Sequence, residues 1–383
     1  MEQVIMWIMA AGAVVGGLDR LFGGRLGLGG KFEEGFLYLG PTALSMAGII
    51  CLAPLISSGL EYSVAPLCEA VGVDPALLGG ILAIDMGGYQ LSVDLARDPL
   101  IGSYTGIIVA AIFGCTITFT IPMGIGIIDA QDRPLFAKGI LLGLVAMPVA
   151  LVAGGLFCGL PPEAILRQNL PVVLLAALFL LGIWKKPDQM IRGFSIFASF
   201  IRFLITVGLV LGAVQYMTGF TMIPGMAPLE DAMAVVSSIG IVMLGSLPVS
   251  EILQRALRRP FSWAGKKAGI NEASVAGLLI GMVSVIPVLT MLHQMDTRGK
   301  IVNVAFLVSA ASTLAAHLGF TMGTEPQLAV ALLAAKCIGG VAGALIALAA
   351  TRTKKSVSAE NKEAVALETE KASELNGSQK AAL

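Results

Sequence analysis

The chain has 383 residues, 56% of them hydrophobic and 13% charged, with a mean hydropathy of +0.86 and a formal net charge of +0. Soluble domains carry about 25% charged residues, so this composition excludes one, and the neutral balance argues against nucleic acid as a partner. The alternating strands of a transmembrane barrel are not visible either; what remains is an all-α polytopic membrane protein of about 10–12 transmembrane helices embedded in a lipid bilayer.

Apolar runs near the 20-residue length needed to cross a bilayer place spans at 2–18, 36–57, 75–97, 100–128, 136–160, 169–184, 193–217, 229–250, 272–293, 300–321 and 326–350. The first run follows Met1-Glu2-Gln3 with no basic residue before it, so it does not read as a cleavable signal peptide. Arg20, Arg25 and Lys31 come after it, which favours an outside N-terminus. The glycines between Gly23 and Gly30 lack the strand and the Lys-Ser/Thr of a phosphate loop and read as a flexible connector. Glu251 to Trp263 alternates apolar and basic positions at helical spacing and reads as an amphipathic helix at the cytoplasmic interface. From Thr351 the composition turns to Ala, Glu, Lys and Ser, which cannot bury a core; 351–383 is expected to be a disordered cytoplasmic tail, held inside by Arg352, Lys354 and Lys355.

The chain also resembles itself. Gly72 to Ala83 reads against Gly269 to Ile280, an offset of about 197 residues, and the same offset sets Glu33-Glu34 against Glu230-Asp231 and Ala137-Lys138 against Ala335-Lys336. A first repeat over 1–160, linking helix and loops over 161–192, and a second repeat over 193–350 follow. Their charges are opposed. Connector 19–35 is basic and its counterpart 218–229 is not, whereas 58–74 is bare and its counterpart 251–271 carries Arg255, Arg258, Arg259, Lys266 and Lys267. Positive loops stay inside, so the repeats are expected to lie in opposite directions, as in many carriers. Counting crossings leaves both repeats wrong by one, which requires a re-entrant or divided segment among 75–97 and 100–128, and another among 272–293 and 300–321.

Chemistry concentrates at these interruptions. Asp85 lies in an apolar span, followed by Gly87-Gly88, Tyr89, Gln90, Ser92 and Asp94. A carboxylate at mid-span costs about 2.5–3.5 kcal/mol on insertion scales, and adjacent glycines loosen the helix and free carbonyls. Carboxylate, carbonyls, aromatic ring and amide together suit a small cation with several donors, with Tyr89 offering a ring face. Asp85 or Asp94 pairing with Arg97, or capping a helix end, is the competing reading. The matching stretch is broken by Pro287 and offers hydroxyls, including Ser284. Thr116, Thr118 and Thr120 before Pro122 either line a polar path or satisfy carbonyls freed by the proline. His317 falls inside a span, as a proton sensor or as a hydrogen-bonded bundle residue. Glu325 beside Pro326 reads as an acid at a helix N-terminus. Cys51, Cys68, Cys115, Cys158 and Cys337 are scattered without a Cys-x-x-Cys pair, and no metal, cofactor or nucleotide motif is present.

The opening Met1-Glu2-Gln3-Val4-Ile5-Met6-Trp7-Ile8-Met9-Ala10, the stretch Gly35 to Leu60 and Asp85-Met86-Gly87-Gly88-Tyr89-Gln90 resemble the ethanolamine permease family of bacterial ethanolamine-utilisation operons, to about residue 350. That resemblance implies a carrier in the bacterial inner membrane that brings ethanolamine in for catabolism and is not an enzyme. A carrier of another small cationic metabolite or a nucleoside is the alternative within transport. A membrane sensor would need a folded soluble domain and an embedded enzyme convergent titratable groups, and neither is apparent.

Overall fold

The computed structural model describes residues 2–82 and 87–351; Asp85 and the tail beyond Thr351 lie outside them. The described residues form helices and no strand: α1 (Glu2–Leu21), α2 (Gly29–Leu37), α3 (Leu39–Ser63), α4 (Ala65–Ala70), α5 (Ala76–Leu82), α6 (Gly88–Leu95), α7 (Pro99–Tyr104), α8 (Ile121–Ile127), α9 (Arg133–Phe157), α10 (Pro162–Lys185), α11 (Pro187–Thr218), α12 (Leu229–Ala268), α13 (Glu272–Gly281), α14 (Val285–Thr290), α15 (Thr297–Ala310), α16 (Ala316–Thr324) and α17 (Ala329–Ala350). Eight helical stretches are long and apolar enough to cross a bilayer, which makes the chain a multi-pass membrane protein.

Among the described residues the expected spans are helical apart from breaks near 282–284 and 311–315, and two connectors differ from expectation. The basic segment after 250 is not a separate interfacial helix. It continues α12 for 40 residues through Pro248 and Pro260, a length of about 60 Å against a hydrocarbon core of about 30 Å. The glycine-rich connector 22–28 is organised rather than loose: the Asp19 carboxylate accepts from the backbone N–H groups of Leu26, Leu28 and Gly29, each at 2.8 Å.

Two segments double back on themselves. At the base of α5–α6, the Asp74 carboxylate accepts from the N–H groups of Ala76 at 2.9 Å, Arg97 at 3.0 Å and Asp98 at 3.1 Å, so the chain leaves where it entered. At the base of α13–α14 the Asp296 carboxylate accepts from Asn271 N–H at 2.8 Å and the Ser274 hydroxyl at 2.9 Å, and Asn271 donates its amide to the Gln294 carbonyl. Both are helical hairpins whose two ends are held together by one carboxylate accepting from groups on either side of the base.

Between them run two longer segments, 99–127 and 297–324, each of a length to cross and termed the crossing pair. Residues 99–127 are helical throughout, but Thr105–Gly114 and Thr116–Thr120 are wound as π-helix, so the segment is widened rather than interrupted. Residues 297–324 run antiparallel to it. Their start is tied by Lys300 Nζ to the Asp132 carboxylate at 2.6 Å, and Glu325 at their end meets Ser103 at 3.1 Å. Hairpin α5–α6 therefore opens at the Pro99 end of the crossing pair and hairpin α13–α14 at the opposite end. The core sits here: Tyr104, Ile108, Ile112 and Phe113 are fully buried against α9 residues Met147 and Leu151, and the Tyr104 hydroxyl bonds the Leu151 carbonyl and Asn169. α17 packs along α9 and α15. Elsewhere small residues let backbones meet: a Cβ at Gly245 would collide with the Met9 carbonyl, joining α12 to α1.

Candidate functional site

Tyr89 lies in the first turn of α6. Gly106 in the widened helix brings the two backbones together there, since a Cβ at Gly106 would stand 2.9 Å from Tyr89 Cα. From the C-terminal half, α16 stops at Thr324 because Pro326 denies helical geometry to the residue before it; Glu325 sits at φ −136°, ψ 68°. The Tyr89 hydroxyl donates to Glu325 Oε1 at 2.8 Å across 236 residues of sequence. The Ser103 hydroxyl donates to the same oxygen at 3.1 Å, and the Gln327 amide meets the other oxygen. The Tyr89 ring packs edge-on against Phe320, centroids 5.6 Å apart at 79°. A half-buried carboxylate thus carries two hydroxyl donors and lies beside two aromatic rings, at the junction of hairpin α5–α6 with both crossing segments.

Behind this junction, Gly106, Ala110, Ala111, His317, Phe320 and Thr321 enclose a cavity of ≈ 10 Å³, room for about one water molecule. The His317 ring is 3% exposed, with Nδ1 3.1 Å from the Ala311 carbonyl; a carbonyl only accepts, so that nitrogen carries the proton. Lys336 of α17 is fully buried and donates to the Ala111 carbonyl at 2.9 Å.

The residues singled out from sequence are only partly brought together. Tyr89 is in the cluster and His317 borders the cavity behind it. Gln90 and Asp94 face elsewhere, the amide donating to the exposed carboxylate at 2.8 Å. Arg97 does not pair with Asp94; its guanidinium bridges Glu61 at 3.0 Å and Glu69 at 2.8 Å, and those carboxylates hold its charged form above the ordinary arginine range. Ser284 occupies the first position before α14, in extended geometry, without a side-chain cap. Thr116 and Thr118 donate to the carbonyls of Ile112 and Gly114 four residues back, which favours carbonyl satisfaction over a polar path. Thr120 is fully buried. Thr118 also lines a separate cavity of ≈ 780 Å³ between α3, residues 118–127 and α11, whose other walls include Phe119, Met123 and Arg202. Glu325 sits at a helix N-terminus as its place beside Pro326 suggested, at the capping position of the turn Pro326–Leu328, but its carboxylate serves Tyr89 and Ser103, partners the sequence did not point to, and the burial of Lys336 was not foreseen.

Residues 1–350 match the family described as "Ethanolamine utilisation protein, EutH". A protein of Listeria monocytogenes named "Probable ethanolamine permease EutH" is 39% identical over 95% of this chain and 98% of its own length. Those of Salmonella typhimurium and Escherichia coli with the same name are each 36% identical, over 91% and 94% of this chain and 95% and 99% of their own lengths. No solved structure matches. The chain belongs to the EutH family of ethanolamine-utilisation proteins.

Proposed function

We propose that this protein is a permease of the bacterial inner membrane that carries ethanolamine inward as its ammonium form, and that it has no enzymatic activity. One observation carries the reading: a carboxylate of one repeat, Glu325, meets an aromatic hydroxyl of the other, Tyr89, beside a re-entrant hairpin. Ethanolammonium presents a cation and a hydroxyl two carbons apart. Glu325 would take the ammonium, the Tyr89 and Ser103 hydroxyls that now donate to it would turn to meet the substrate, and the Tyr89 ring, edge-on to Phe320, would form the apolar wall beside it. Carboxylate and hydroxyls together offset the desolvation that makes a bare ammonium costly in the bilayer. A primary amine titrates near the lysine value of about 10.4, so each unit of acidification removes about tenfold of the neutral form that crosses lipid unaided. Carrier-mediated entry matters most in acid.

Counting each hairpin as returning to its own side gives three crossings from connector 58–74 to connector 185–192, and two from 251–271 to the tail. That parity supports the basic connectors lying inside, with the N-terminus outside and the repeats inverted over 1–160 and 193–350. Glu325 and Ser103 then lie toward the outer face. The cavity behind them is too small for the four heavy atoms of ethanolamine, so passage requires the junction to open.

Labelled ethanolamine uptake into proteoliposomes at acidic pH tests this. Glu325→Gln is expected to lower uptake about tenfold or more and Tyr89→Phe a few-fold, with both proteins still inserted. Wild-type rates in Glu325→Gln together with loss in Asp85→Asn would move the cation site to Asp85. No uptake by the unmodified protein would refute the permease reading.

A further inference from the structure

Lys336 is the only charged residue of α17 and sits near the middle of the span Pro326–Ala350. An ammonium at that depth is expensive, and its side chain is fully buried. It is not inherited from the repeat: Lys138, its counterpart, is exposed on α9. Its Nζ donates to the Ala111 carbonyl at 2.9 Å, and Ala111 lies within the π-wound stretch Thr105–Gly114. A lysine reaching from one repeat to the widened helix of the other is a specific arrangement.

Carriers with broken helices use carbonyls from irregular turns, near the bilayer midplane, to coordinate a coupling sodium ion. The carbonyl that Lys336 holds has those attributes: irregular winding, central depth and a position between repeats, adjoining the cavity bordered by His317 and Thr321. An alkylammonium has the charge of sodium and directs its donors at carbonyl oxygens. We propose that the Lys336 ammonium is a resident, tethered cation that takes the place of a coupling sodium ion, so that the substrate is carried without sodium. This rests on the permease reading above.

Two measurements test it. In proteoliposomes, wild-type uptake of labelled ethanolamine is expected to be the same, within about twofold, in sodium chloride and in N-methylglucamine chloride. A drop of about tenfold without sodium overturns the proposal. Independently of transport, the purified Lys336→Ala variant, which vacates the cation's place, is expected to melt at a higher temperature with sodium or methylammonium than with N-methylglucamine, since a ligand that binds only the folded state stabilises it. The wild type is expected to show no such shift. A wild-type protein stabilised by sodium, or a variant rescued by neither cation, sinks the idea. If the variant cannot be purified folded, the wild-type uptake ratio and melting shift decide. If the wild type takes up no ethanolamine in either salt, the permease reading fails, and the melting shifts alone decide whether Lys336 replaces a bound cation.

Discussion

The crossing segments 99–127 and 297–324 face the same difficulty and meet it differently. Backbone groups inside a membrane must be satisfied within the protein. The first segment widens into π-helix over Thr105–Gly114 and Thr116–Thr120 and keeps its path continuous. The second breaks between Ala310 and Ala316, with Ser312 in the left-handed region at φ 53°, and hands its bonds to a neighbour: Ser312 N–H donates to the Gly281 carbonyl at 2.9 Å and Leu314 N–H to the Met282 carbonyl at 2.8 Å. The broken segment and hairpin α13–α14 are thereby one unit, whereas the widened segment stays self-contained. Each solution leaves a carbonyl for a polar side chain of the second repeat, Ala111 for Lys336 and Ala311 for His317. Irregular backbone in this protein is a means of presenting acceptors.

The contrast can be broken at the joint between the two segments. Lys300 and Asp132 are nearly buried, at 12% and 6% side-chain exposure, and removing one partner of a buried pair costs about 3–5 kcal/mol. Lys300→Met should therefore give the largest loss of stability in detergent, read by thermal or denaturant unfolding. Ser312→Val places a β-branched residue at positive φ and should cost about 2 kcal/mol, while Ser312→Gly costs nothing or stabilises; equal stability of the two would deny that the break is strained. Thr116 Oγ1 donates both to Ile112 within its own segment and to Val308 of the other at 3.0 Å, so Thr116→Val should cost about 1 kcal/mol. A smaller, pH-bound effect belongs to Asp296. Partial burial raises its carboxyl, but hydrogen bonds from Asn271, Gly299 and Ser274 outweigh that and hold it below the ordinary value of 3.8. A depressed folded value gives stability that is present above the unfolded pKa and lost as pH falls through the folded one. Acid melts should show the wild type weakening below about pH 4 and Asp296→Asn lacking that component. Arg97→Gln, which removes only exposed ion pairs, should change stability by less than about 1 kcal/mol.

The crossing pair and hairpins were legible where composition alone decides. Twenty-residue apolar windows located the spans, the pair Gly87-Gly88 and Pro287 lie within the two hairpins, and connector charges called for one re-entrant or divided segment in each half without saying which. The π-winding was not legible, because Thr105 to Gly114 holds no proline and its two glycines, Gly106 and Gly114, read equally as close-packing positions in an ordinary helix. The partnering of Glu325 was missed since Tyr89 lies in the other repeat and no local pattern joins them; the one signal was an acid directly before a proline at a span boundary. Lys336 was hidden by the repeat itself. Its match with Lys138 says nothing of burial, for the two lysines differ fully in exposure; the local signal is an isolated cation in a run of Ala, Gly and Leu.

The stitching of hairpin α13–α14 to the break at 311–315 also bears on how the chain is made. Gly281 and Met282 emerge from the ribosome some 30 residues before the groups that bond their carbonyls. Until Ser312 and Leu314 arrive, that hairpin has no way to shield its open turn from lipid. Biosynthesis is then expected to seat it late, after α15 has been threaded: in nascent chains halted before Ser312, single cysteines introduced within 272–290 should react with water-soluble thiol reagents, and in longer chains they should be protected.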